Sequence, residues 1–345
     1  MKKILFCNKN GIPPYHISGA ELSIDEILKE MVSYGYEVSS LNTIERFLLY
    51  KNNYTKLMDN NITVENDVYT KHILNNTNNY NSILANLIES YKPDIIFTQM
   101  FDVELLKKIT NQNIPIVLFV HGVVEDTEKL ESIGADLYVC LSNFIATKLL
   151  HLGDKVCVIY PIIKKSDFFN SYTKDKQNIL FVNPTKNKGV EVALHLAQKY
   201  KYENFIFFEN WRVTNKKYLY SINELDNIKL MPITSNYKSI YDGIKLLIYP
   251  SQNEEGFGRC IVEANFNGIP TIASNIGGIP EALGKSQILV EDYNNLSAWE
   301  SAFDKVFYNI DYYKQLTKEA YNNANNFEKI SSSKMLSFLE KLSKL

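Results

Sequence analysis

The stretch from Tyr249 to Glu281, YPSQNEEGFGRCIVEANFNGIPTIASNIGGIPE, constrains this chain more than any other. An apolar run, Ile244 to Tyr249, stops at Pro250. Two acids and a Gly-Phe-Gly turn follow. Arg259 to Asn267 suits a short helix, and Gly268 is placed to end it. A second apolar run and a Gly-Gly-x-Pro-Glu loop complete the series. Strand, turn, helix and strand in this order belong to an open α/β sheet, whose ligands sit outside the carboxyl ends of the strands. Gly256 and Gly258 leave the backbone bare and free to take positive φ. N–H groups at the helix start then face an anion. Glu255 stands in the loop and Glu263 inside the helix. Together they offer two acceptors to a polyhydroxylated ligand whose phosphate meets the helix start.

The rest of the chain repeats the alternation. Apolar runs at Lys3 to Cys7, Glu37 to Leu41, Asp94 to Thr98, Ile116 to Val120, Asp136 to Leu141 and Val156 to Tyr160 read as strands. A second set starts at Asn178 to Asn183, and continues with Asn204 to Phe208, Ile228 to Met231, Ile244 to Tyr249 and Gln287 to Val290. Helical patterns lie between them, which predicts parallel sheets with helical crossovers. Ile162 to Lys176 lacks periodicity and reads as a linker. A chain of 345 residues accommodates two such domains. Residues 42 to 80 are rich in asparagine and give no clear pattern. Two helices are expected at about Leu296 to Asn309 and Asp311 to Asn325, then a separate amphipathic tail, Ser331 to Leu345.

Composition excludes several classes. The net charge of −2 gives no bulk attraction to nucleic acid. Four scattered cysteines, Cys7, Cys140, Cys157 and Cys260, form no CxxC pair and no metal spacing, which fits a reducing compartment. The amino-terminal apolar run is too short for a signal peptide, and none elsewhere is long enough to span a bilayer. Peripheral contact with a membrane surface stays open. No G-x-G-x-x-G follows the first strand, which argues against a dinucleotide oxidoreductase.

Five further places carry candidate chemistry. Ser18-Gly19-Ala20-Glu21 opens a helix with capping-box spacing. His121 ends a buried strand, where a side chain points toward the ligand edge of an α/β sheet. Lys188 precedes Gly189 and a helix start, within reach of a phosphate. Ile233 follows the strand at Ile228 to Met231. His16 lies in the first loop, a candidate for the acceptor side.

The pattern Glu255-Gly256-Phe257-Gly258, then Glu263-Ala264, resembles the E-G-F-G-x-x-x-x-E-A signature of the GT4 family of retaining glycosyltransferases. The following strand and Gly-Gly-x-Pro-Glu loop, Pro270 to Glu281, extend the match. The resemblance implies the α/β fold called GT-B: two Rossmann-like domains with parallel sheets facing each other across a cleft. Residues 1–165 would form the acceptor-side domain and 166–325 the nucleotide-sugar domain. Residues 326–345 would form a helix crossing back to the first. It implies transfer of a sugar from a nucleotide-diphosphate sugar to a hydroxyl of a glycan, lipid-linked or protein acceptor. The expected setting is bacterial glycan assembly, in the cytoplasm or at the inner face of the membrane.

Site roles follow from the same resemblance. His121 would sit by the anomeric side and Glu255 would accept from a donor-sugar hydroxyl. Gly19, Lys188 and the backbone of Gly256, Phe257 and Gly258 would hold the diphosphate. Glu263 would accept from the ribose, and Ile233 would border the base. The sequence departs from the family in two places. Ser18 stands where the first glycine of Gly-Gly-x-Glu is usual. Asn183-Pro184-Thr185 stands where an arginine is usual, leaving Lys186, Arg212 and Arg259 as cations to compensate. No Asp-x-Asp motif occurs, so neither a metal nor another cofactor is required. Two other classes remain: a non-enzymatic GT-B partner subunit and a nucleotide-sugar epimerase.

Overall fold

The computed structural model describes residues 1–13, 18–43, 62–74, 77–99, 102–110, 113–123, 134–170, 175–209, 215–234, 236–284 and 287–345. His16, Trp211 and Arg212 lie outside the described residues. The chain divides into two compact units, Met1–Ile162 with Ser333–Leu345, and Ile163–Ser332.

The first unit carries an eight-stranded sheet. Its strands are β1 (Lys3–Cys7), β2 (Glu37–Thr43), β3 (Ile62–Asn66), β4 (Thr70–Leu74), β5 (Ile95–Thr98), β6 (Ile116–Val120), β7 (Leu137–Cys140) and β8 (Val156–Val158). They lie in the order β3-β4-β2-β1-β5-β6-β7-β8. Its helices include α1 (Gly19–Ser33), α2 (Tyr80–Tyr91), α3 (Val103–Thr110) and α4 (Asn143–Thr147). β1 is buried on both faces: Ile4 and Phe6 enter one core, Leu5 and Cys7 the other. Two covered faces are why these strands read as continuous apolar runs.

Residues 42 to 80 showed no clear pattern, and here the structure adds an edge hairpin. β4 joins β2 in parallel, while β3 pairs with β4 antiparallel. Lys71 of β4 is 3% exposed, which its residue type does not announce. Its ammonium lies 3.4 Å from Oδ1 of Asp25 and donates to the carbonyl of Pro13 at 3.3 Å. The Tyr69 hydroxyl donates to the same Asp25 oxygen at 2.6 Å. Pairing makes the buried lysine tolerable, and it ties the loop after β1 to α1 and β4.

The second unit carries six parallel strands. They are β9 (Asn178–Val182), β10 (Phe205–Phe208), β11 (Ile228–Met231), β12 (Ile244–Tyr249), β13 (Thr271–Ser274) and β14 (Ile288–Val290). The order is β11-β10-β9-β12-β13-β14. Helices α5 (Lys165–Phe168), α6 (Val190–Lys199), α7 (Lys216–Asn223), α8 (Arg259–Phe266), α9 (Ile279–Leu283) and α10 (Leu296–Phe307) surround or connect them. This is the doubly wound order, reversing between β9 and β12. Loops after those two strands diverge around a crevice at their carboxyl ends. The first unit reverses likewise between β1 and β5.

The expected break between a helix ending near Asn325 and a separate tail does not occur. α11 runs unbroken from Ile310 to Leu342. No glycine or proline interrupts this span, and tertiary contacts override the weak helix propensity of its asparagines. Asn323 donates to Oδ1 of Asn265 at 2.8 Å and to the carbonyl of Ala282 at 2.9 Å. The last turns bury Met335, Phe338 and Leu342 in the core of the first unit. Phe338 lies 6.1 Å from Phe97 and 6.3 Å from Phe119, ring centre to ring centre. Burying such a side chain contributes about 1.5–3 kcal/mol.

Close approach fixes the crevice of the second unit. Gly189, at φ +80°, caps the start of α6. A Cβ there would stand 1.9 Å from the carbonyl oxygen of Pro250, just past β12. Only glycine meets both demands. We expect Gly189→Ala to cost about 2 kcal/mol or more, read as a lowered urea midpoint. A loss under about 0.5 kcal/mol, the usual scale of a surface change, would contradict this close approach.

Candidate functional site

The loop after β9 holds Thr185, Lys186, Asn187 and Lys188, and the loop after β12 holds Ser251, Asn253, Glu254 and Glu255. These eight residues line one cavity of ≈ 580 Å³ at the reversal point of the second sheet. Backbone and side chain bind the two loops together. The amide of Gln252 donates to the carbonyl of Asn187 at 2.9 Å, and the Ser251 hydroxyl donates to the same carbonyl at 3.2 Å.

Lys188 and Glu255 come together here, with Nζ 2.7 Å from Oε2. The Tyr249 hydroxyl donates to that same oxygen at 2.6 Å. The Lys188 ammonium also lies 5.6 Å from the centre of the Tyr249 ring. The cation that a phosphate would need is thus held by a carboxylate in this state.

Glu263 sits inside α8 and is 6% exposed. Tyr241, itself 1% exposed, donates its hydroxyl to Oε2 at 2.6 Å. Nε of Arg259, one helical turn back, lies 3.4 Å from Oε1. Burial raises the Glu263 carboxyl above its ordinary value; the Arg259 charge and the two hydrogen bonds oppose this without cancelling it. Arg259 is thus ion-paired with Glu263. Lys186, in contrast, lines the cavity beside Lys188.

The glycines have separate reasons. Gly258 is the N-cap of α8 at φ +107°. Gly277 and Gly278 let the loop after β13 lie against the Glu255-Gly256 backbone. A Cβ on Gly277 would stand 2.6 Å from the Glu255 nitrogen, and one on Gly278 2.4 Å from the Gly256 oxygen. The amide of Gly278 donates to the Glu255 carbonyl at 2.8 Å. Phe257 is 5% exposed, its ring 5.6 Å from that of Phe327. Its side chain belongs to the core, which leaves only its backbone for a ligand. Ile233, after β11, is 42% exposed.

The first unit's candidates follow two of its strands, β1 and β6. Gly19 opens α1 with Ser18 as N-cap, but no capping box forms. The Ser18 hydroxyl donates to the Glu21 carboxylate instead of accepting from the helix backbone. Glu21 is 4% exposed and also accepts from Gln99 Nε2 at 3.4 Å, beyond the end of β5. His121 follows β6, its ring 6.4 Å from that of Phe119.

Sequence reasoning missed Tyr241 and Tyr249 as site residues. Each stands in or beside an apolar run, where a tyrosine reads as core. Among the described residues no group of three or more His, Cys, Asp or Glu side chains is arranged to hold a metal ion. No helix among them is long and apolar enough to cross a membrane.

Comparison with known proteins now bears on this geometry. Residues 163–323 match the model of the family Glycosyl transferases group 1. An uncharacterized glycosyltransferase of Methanocaldococcus jannaschii is 26% identical over 307 residues, covering 83% of this chain and 81% of that protein. HepE of Anabaena, solved in complex with UDP and glucose, superposes with a TM-score of 0.73 at 17% identity, over 100% of both chains. The fold is GT-B. A sucrose-phosphate synthase from Thermosynechococcus elongatus shares this GT-B fold, with a TM-score of 0.77 at 15% identity over 100% of both chains. The family match and the archaeal relative support a GT-B glycosyltransferase. The family match spans the loops after β9 and β12, and so the whole cavity.

The raised Glu263 carboxyl has a sign that can be tested. The folded state binds this proton more tightly than the unfolded state does. Its contribution to stability is full below the ordinary carboxylate range and is lost as pH rises through the raised value. The melting temperature of wild type relative to Glu263→Gln should therefore be most favourable at about pH 4 and least at about pH 8. A difference independent of pH would refute a raised carboxyl.

Proposed function

We propose that this chain is a retaining, metal-independent glycosyltransferase of the GT4 family. It would move a hexose from a nucleotide-diphosphate sugar to a hydroxyl of a glycan, lipid-linked or protein acceptor. The observation that carries this reading is one cavity in which Lys188 and Glu255 meet beside a bare-backboned turn. A cation, a carboxylate and backbone amides are what a diphosphate joined to a polyol requires.

In this reading the incoming diphosphate competes with Glu255 for Lys188. Once Lys188 turns to phosphate, the Glu255 carboxylate accepts from a sugar hydroxyl. Lys186 supplies a second positive charge where the family's usual arginine is absent. Gly256, Phe257 and Gly258 contribute backbone amides near the start of α8. Glu263 accepts from the ribose, and Ile233, exposed after β11, borders the base. Gly19 and His121 are the first unit's own candidates, for the diphosphate and the anomeric side, as the family resemblance implies. The bond from the anomeric carbon to the phosphate oxygen breaks as the acceptor oxygen attacks the same face. The departing phosphate takes the acceptor's proton. Positive charge fixed around that phosphate stabilises the leaving group. The UDP, glucose and UDP-glucose bound in Anabaena HepE crystals favour a hexose nucleotide as the donor. A role in glycan assembly at the cytoplasmic face follows from the family resemblance alone; one similar protein, 23% identical over 324 residues, is described as lying in the cps region of Klebsiella pneumoniae.

A panel of nucleotide sugars tests the reading. One member should raise the melting temperature of the wild-type chain and be slowly hydrolysed without acceptor. Lys188→Ala should weaken that binding roughly tenfold or more, the cost of a hydrogen bond to a charged group. Wild type that neither binds nor cleaves any of them would sink the proposal. Transfer should also survive EDTA; activity lost to the chelator and restored by manganese would overturn metal independence.

A further inference from the structure

The two glutamates of the second unit are held differently. Glu263 has both oxygens engaged: Oε2 by Tyr241 and Oε1 by the ion pair with Arg259. On Glu255 both donors converge on one oxygen. Tyr249 reaches Oε2 at 2.6 Å and Lys188 reaches Oε2 at 2.7 Å. Oε1 of Glu255 is buried and has no hydrogen-bond partner among the described residues. A buried carboxylate oxygen without a donor is costly, and such an atom calls for a functional reason.

Tyr249 is placed to direct that oxygen. It ends β12, the central strand beside the reversal point, and is 6% exposed. Pairing with Ala273 of β13 holds its backbone, and β9 pairs with the residue before it, Ile248. The terminal torsion of a glutamate is otherwise broad and nearly two-fold, so a free carboxylate exchanges its oxygens. A donor anchored on a rigid strand removes that freedom. Resting on the nucleotide-sugar reading above, we propose that Tyr249 is a positioning residue: its hydroxyl pins Oε2 of Glu255 and leaves Oε1 for a hydroxyl of the donor sugar.

Two consequences follow from the chemistry. An ionised carboxylate oxygen only accepts, so the ligand group that meets Oε1 is a hydroxyl acting as donor. When a diphosphate draws Lys188 away, Tyr249 is the donor that remains on Oε2. Burial, ahead of the Glu255 charge, holds the phenol well above its ordinary value, so it keeps the proton it donates. Tyr249 itself contacts no ligand in this arrangement and acts through Glu255.

The test uses the full chain and Tyr249→Phe, which keeps the ring beneath Lys188 and removes only the hydroxyl. A panel of UDP-, GDP-, ADP- and dTDP-hexoses and their parent diphosphates is first titrated into wild type. With the best donor of that panel, Tyr249→Phe should bind the nucleotide sugar about tenfold more weakly. Its affinity for the parent diphosphate should stay within about twofold of wild type, within the scatter of an unrelated surface change. The Tyr249→Phe, Glu255→Gln double variant should lose no more sugar affinity than Glu255→Gln alone, because the tyrosine acts only through that carboxylate. Equal losses for sugar and diphosphate, or additive losses in the double variant, would overturn the inference and leave the function standing. So would a Tyr249→Phe chain that binds the sugar as wild type does. If Tyr249→Phe fails to fold, donors lacking one ring hydroxyl each are titrated into wild type and Glu255→Gln. A single hydroxyl whose removal weakens only wild type supports the inference, and none overturns it. Wild type that binds no member of the panel removes the nucleotide-sugar reading and this inference together.

Discussion

Everything in the second unit's cavity depends on one backbone contact. The start of α6 lies so close to the end of β12 that Gly189 has no room for a Cβ against Pro250. That contact brings the loop after β9 alongside the loop after β12, where Lys188 meets Glu255. The parallel sheet makes the meeting available, since its two central strands send their connections in opposite directions. Glycine makes it close. Gly277 and Gly278 repeat the device from the far side, letting a third loop rest on the Glu255 backbone. The carboxylate is therefore mounted on a frame of packed main chain, which holds a functional group better than a free loop does.

Electrostatics then divides the two glutamates. Glu263 is buried with a tyrosine and an arginine one turn away, and burial still dominates its carboxyl. Such a group is held in place, its charge spent on neighbours within its own helix and the segment before β12. Glu255 lies at the cavity wall with Lys188 as partner. In the proposed function that salt bridge is exchanged for a ligand's charge and hydroxyl. The site rests with its own opposite charges paired, which avoids a bare cation and a bare anion in a half-enclosed space.

The sequence carried the fold class well, because alternating apolar runs with glycine and proline at their ends are a direct imprint of a parallel sheet. Glu255, Glu263 and Lys188 were legible for a different reason: a fixed spacing around a turn survives any change of surroundings. Tyr241 and Tyr249 were not. Their hydroxyls matter only through what the fold sets opposite them, and an aromatic residue by a strand reads as core. Lys71 shows the same blindness for charge, since nothing local says that Asp25 and Tyr69 will meet it. The capping box at Ser18 failed because Glu21 was drawn to a side-chain partner, away from the helix backbone. A helix end was expected near Asn325; α11 instead continues, with Asn323 bonded to Asn265 and Ala282.

That unbroken helix sets an order of events as the chain is made. Phe97 and Phe119 are synthesised early, yet the ring that covers them, Phe338, comes almost last. The first sheet leaves the ribosome with a strip of its core uncovered and keeps it so while the entire second unit is built. Only when the final helical turns emerge does the amino-terminal half acquire its closing layer. The amino-terminal sheet thus takes part of its core from residues made after the second unit.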